Sequence, residues 1–122
     1  MVNDKTNYDL EDRTAEFGGQ VIKLCKRIDH NIISKPIISQ LIRSATSIGA
    51  NYLEANGASS KKDFSNKIYI CKKESQETRH WLKMLSVATA CDKKEVSSLI
   101  QESKELSMIF HSITNKTKRS TL

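Results

Sequence analysis

The chain is 122 residues long and carries 20 lysines and arginines against 14 acids, a formal charge of +6. That length suits one domain able to bury its own core, and one proline, four glycines and few aromatics disfavour many-turned all-β folds and leave an all-helical chain. Cys25, Cys71 and Cys91 are odd in number, far apart and without Cys-x-x-Cys spacing, so neither a disulfide framework nor a zinc site is indicated and a reducing, cytoplasmic setting is the simpler reading.

The polar start Val2-Asn3-Asp4-Lys5-Thr6-Asn7 does not read as a secretory leader, and no apolar run approaches membrane-spanning length. Residues 1–8 read as a loose arm. Asp9 then caps a first helix, with Glu11 and Asp12 in the first turn, where the helix dipole favours negative charge. Leu10, Thr14, Phe17, Val21, Leu24 and Ile28 recur at spacings of four and three and form one apolar seam. A connector from Asp29 to Lys35 leads to a second helix, whose start is marked by Ser34 and Pro36 and whose seam is Ile38, Leu41, Ala45, Ile48, Tyr52 and Ala55.

Gly49 interrupts this second helix. A mid-helix glycine costs about 1 kcal/mol relative to alanine, so the position predicts close approach of another backbone. Gly57 is the expected stop, as a left-handed cap. Ser60 caps a third helix, expected to be the longest, with seam Phe64, Ile68, Cys71, Ser75, Thr78, Leu82 and Leu85. Beside the seam run Ile70, Glu74, Glu77, Trp81, Met84 and Ala88. Asp92 and Glu95 read as a capping box for a fourth helix with seam Val96, Leu99, Ser103, Leu106, Phe110 and Ile113. Four amphipathic helices with short connectors predict an all-α, antiparallel up-and-down four-helix bundle over residues 9–115, followed by a polar tail over 116–122.

Arg43-Ser44-Ala45-Thr46-Ser47-Ile48-Gly49-Ala50-Asn51-Tyr52-Leu53-Glu54-Ala55, then Asp63-Phe64, Lys72-Lys73-Glu74 and Glu77-Thr78-Arg79-His80-Trp81-Leu82, resembles the four-helix bundle protein family found in intervening sequences of bacterial 23S ribosomal RNA genes. The resemblance spans roughly residues 9–115. It implies a bundle that assembles as a homopentameric ring, without known enzymatic activity and with a link to RNA or DNA. Gly18-Gly19 and Leu53 depart from the family pattern.

Away from its seam, the third helix presents Lys62, Asn66, Tyr69, Lys73, Gln76, His80 and Lys83, a row without an acid, flanked by Lys61, Lys67, Lys72 and Arg79. Such cations suit phosphates and release counterions on binding, and Tyr69 offers a stacking surface for a base. The bland reading is a solvated face. Ala15, Gly19 and Ile22 on the first helix, and Thr46, Ala50 and Leu53 on the second, are small or apolar where charge is expected on a monomer, so an oligomer interface is read there, with Arg43 beside it. Glu74 and Glu77 are read as structural ion-pair partners, with Arg43 a candidate mate across the bundle or from a neighbouring subunit.

Glu77-Thr78-Arg79-His80 is the single Glu-x-x-His, short of what a di-iron bundle requires, so no metal and no cofactor are expected. The reading is a non-enzymatic oligomer that binds RNA or DNA with little sequence preference. The alternative is a protein-interaction scaffold without nucleic-acid binding.

Overall fold

The computed structural model describes residues 9–120, with side chains as far as Thr117; the arm assigned to residues 1–8 lies outside the described residues. Four helices follow in order, α1 (Leu10–Lys26), α2 (Ser34–Asn56), α3 (Lys61–Ala88) and α4 (Lys93–Ser120). α4 equals α3 at 28 residues, so α3 is not the longest alone. The backbone where a tail was expected is helical to Ser120.

Most helix starts use the expected caps. Asp9 accepts from the Glu11 amide at 3.0 Å, and Ser60 Oγ accepts from the Asp63 amide at 3.0 Å. α2 begins at Ser34 as marked, and Asn31 caps it, its Oδ1 accepting from the amides of Ile33 and Ser34 at 2.9 and 3.0 Å. Two local expectations are corrected. Gly57 ends α2 with φ −97°, not in the left-handed region, because bifurcated bonds from its amide to the carbonyls of Leu53 and Glu54 already close the last turn. At α4, Asp92 Oδ1 accepts from the amides of Lys94 and Glu95, but the Glu95 carboxylate turns to Arg27 of α1 instead of completing a capping box.

The seams are buried as their spacing predicts. Phe17, Val21, Leu24, Leu41, Ile48, Ile68, Leu82, Leu85, Leu106 and Phe110 form the core, and removing such area from water contributes about 25 cal/mol per Å². Phe64 and Tyr52 close the end of the bundle as half-buried residues. Buried hydroxyls on the seams return their protons to the helix: Thr14 donates to the Leu10 carbonyl at 2.8 Å, and Ser75 to the Cys71 carbonyl at 2.8 Å. These polar positions are therefore satisfied while keeping the helix surface narrow.

Side-chain pairs fix the directions of the helices. Along α2 and α3, Ser44 meets Thr78, Ile48 meets Cys71 and Glu54 meets Lys67, so one number rises as the other falls. The same reversal relates Gly18 to Thr46 and Gly49 to Thr14 between α1 and α2. Adjacent helices are antiparallel. α1 and α4 pack least and leave a groove of about 730 Å³ between them, crossed by Arg13, which binds Glu102 Oε2 at 2.7 Å and Glu105 Oε1 at 3.1 Å.

α1 and α2 come together at their smallest residues. A methyl on Gly49 would stand 3.2 Å from Thr14 Oγ1 and 3.6 Å from the Thr14 carbonyl carbon; one on Gly18 would stand 3.6 Å from the Ala45 carbonyl oxygen. The close backbone predicted at Gly49 is thus α1 of the same chain. Gly18 faces α2 in the same way, whereas Gly19 has open space beside it.

Candidate nucleic-acid interface

The sequence of α3 divides its surface. Burial of Ile68, Cys71, Ser75, Thr78, Leu82 and Leu85 turns the opposite side of the helix to water. Lys62, Asn66, Tyr69, Lys73, Gln76, His80 and Lys83 are all exposed there. At a rise of about 1.5 Å per residue, Lys62 to Lys83 spans roughly 30 Å. Tyr69, 55% exposed, sits between cations.

The flanks differ from one another. Toward α4, Lys72 and Arg79 are half-buried, and Lys72 Nζ lies 3.0 Å from His111 Nδ1. Lys104, one heptad before His111, is exposed on the same side of α4. The basic surface therefore broadens from α3 onto α4, an extension that the reading of α3 alone missed; the seven-residue spacing of Lys104 and His111 was its signal. Toward α2, Lys67 is committed to Glu54 at 2.6 Å.

Next to that α2 flank lie the acids. Arg43 reaches across from α2 to Glu74 at 3.3 Å and to Glu77, while its Nε donates to Gln40 Oε1 at 3.1 Å. Trp81 Nε1 donates to Glu77 Oε2 at 3.1 Å. That hydrogen bond first, and Arg43 after it, outweigh burial and hold the Glu77 carboxyl below its usual pKa. Thr78 Oγ1 donates to Ser44 Oγ at 2.9 Å in the buried layer beneath. Motif residues far apart in the chain thus meet as one α2–α3 joint, in which Arg43 compensates both carboxylates bordering the lysine row.

The residues read as an oligomer interface also converge. Ala15, Gly19, Ile22, Thr46, Ala50 and Leu53 line one groove of about 520 Å³ between α1 and α2, floored by Gly18 and Gly49. Arg43 lies apart from it, engaged with α3. His80 packs edge-on against Trp81, with ring centroids 5.0 Å apart. Among the described residues no cluster of three or more potential metal ligands forms, and no helix is long and apolar enough to cross a membrane.

These elements define an antiparallel four-helix bundle with one lysine-rich face and one small-residue groove. The chain belongs to the 23S rRNA-intervening sequence protein family, whose profile matches residues 6–112. A solved structure from Bacteroides thetaiotaomicron, a protein with unknown function from the S23 ribosomal protein family, is 32% identical; the alignment covers 87% of this chain and 98% of that one, with a TM-score of 0.75. No curated protein matches the chain.

Proposed function

We propose that the protein is a non-enzymatic, cytoplasmic, self-associating bundle that binds RNA or DNA through the outer face of α3. The observation that carries this reading is the exposed, acid-free row from Lys62 to Lys83, with the neighbouring acids compensated by Arg43. Lysines on a convex helix act as point charges toward phosphates and lack the fixed fork that reads a base edge, so little sequence preference follows. Membership in a family tied by name to ribosomal RNA supports the same partner class.

The α1–α2 groove supports self-association, since small residues admit a second helix and the exposed Ile22 and Leu53 gain by leaving water. Resemblance to the family's pentamers supports a ring of five. A ring repeats the lysine row and multiplies weak phosphate contacts. The same groove favours a protein-interaction scaffold as the second reading.

Fluorescence anisotropy with single-stranded and duplex RNA and DNA tests the proposal across a salt series. Four or five neutralised phosphates give a log–log slope of about −3 to −5. Absence of binding at about 50 mM salt overturns it and leaves the scaffold.

A further inference from the structure

The connector between α1 and α2 holds its two isoleucines in water. Ile32 is 90% exposed and Ile33 63%, yet the turn that carries them is not slack. Asn31 Oδ1 accepts from the Ile33 and Ser34 amides, and the Asn31 amide donates to Ser34 Oγ at 2.9 Å. The buried Ser34 Oγ donates in turn to the Asp29 carbonyl at 2.7 Å, and His30 Nε2 donates to the Cys25 carbonyl at 2.8 Å. A turn whose polar groups are tied this thoroughly projects Ile32 and Ile33 as a fixed apolar tip.

The surroundings of the tip are apolar and cationic together. Leu24, Arg27 and Ile28 line a common pocket with Ala90, Cys91, Asp92 and Glu95, so the α1–α2 and α3–α4 connectors lie at one end of the bundle. Val87, in the last turn of α3 at that end, is 82% exposed. Residues 26–35 and 90–95 contain Lys26, Arg27, Lys35, Lys93 and Lys94 against Asp29, Asp92 and Glu95. Arg27 is paired with Glu95, while Lys26, Lys35 and Lys94 are exposed.

We infer that this end of the bundle docks on an anionic membrane surface, with Ile32 and Ile33 entering the interfacial layer and the surrounding lysines meeting lipid phosphates. Two adjacent side chains on a convex turn are too small for a stable protein interface, which buries roughly 800 Å² on each partner. They suit a deformable layer, and positive charge around an apolar anchor is the combination that anionic lipid retains. The inference is independent of the α3 row.

Sedimentation of the full chain with vesicles tests it, using phosphatidylcholine alone and phosphatidylcholine mixed with phosphatidylglycerol. The protein is expected to sediment with the mixed vesicles only. Ile32→Ser with Ile33→Ser should weaken that binding roughly tenfold or more, with the circular-dichroism melt unchanged. The inference is overturned if wild-type protein ignores the mixed vesicles, or if the serine pair binds as tightly as wild type. It is equally overturned if the serine pair lowers the oligomer's mass, which would seat the tip on another copy.

Discussion

Gly49 of α2 faces Thr14 of α1 so closely that a methyl on the glycine would stand 3.2 Å from the threonine Oγ1. A side chain beyond that methyl has to separate the two backbones. Gly49→Leu should therefore destabilise the chain by about 2–3 kcal/mol or prevent folding. Gly49→Ala should fall within about 1 kcal/mol of wild type, because the helix-propensity gain offsets a displacement of a few tenths of an ångström. Urea denaturation checks both, and equal midpoints for the leucine variant and wild type would contradict the contact.

Gly19 behaves oppositely. Nothing lies within 4 Å of the position its Cβ would take, so Gly19→Ala should raise stability by up to about 1 kcal/mol in the monomer. Gly19→Leu should keep the helical circular-dichroism spectrum yet fill the α1–α2 groove. Light scattering should then show a smaller assembly than wild type. An unchanged mass would remove this groove from the interface.

The α2–α3 joint gives a pH signature. Trp81 and Arg43 lower the Glu77 pKa from the usual 4.5, so the stabilisation is complete above that value and is lost as pH falls through the lowered one. Trp81→Phe removes the largest cause and should flatten the loss of stability on acidification below about pH 5; Arg43→Met should flatten it further. Arg43→Met also strands the nearly buried Glu74, at a cost of about 1–3 kcal/mol at neutral pH. Thermal melts at a series of pH values measure both effects.

Much of this was readable from spacing. Phe17, Val21 and Leu24, or Ile68, Leu82 and Leu85, recur with the helical period, and burial follows from period because each helix has one partner side. Tertiary pairings had no such local sign. The Asp92–Glu95 spacing reads as a capping box because nothing nearby competes for Glu95, yet its partner is Arg27, 68 residues earlier. Asn31 reads as connector in the sequence, yet its side-chain oxygen caps α2 where the isoleucine at the cap position has no capping group. The lysine row is visible on α3 alone; the seven-residue spacing of Lys104 and His111 marks a second strip on α4, and only the fold sets that strip beside Lys72.

Thiol chemistry should report the packing. Burial pushes the Cys25 thiol up to about 11 and Cys71 up to about 12, leaving both protonated and shielded at neutral pH. Cys91, half-buried at the α3–α4 connector, is the accessible one. Labelling with a disulfide reagent at pH 8 should modify Cys91 in the folded protein, with Cys25 and Cys71 reacting only in denaturant. Immediate modification of all three would contradict the core described above.

The lysine row itself is tested most directly by charge reversal at Lys73 and Lys83, two exposed positions without a packing role. Affinity of Lys73→Glu with Lys83→Glu for RNA and DNA should be measured at fixed low salt, alongside circular dichroism and light scattering. The account predicts at least a roughly hundredfold loss of affinity and a shallower salt dependence, with fold and assembly unchanged. Wild-type affinity in that variant would contradict it.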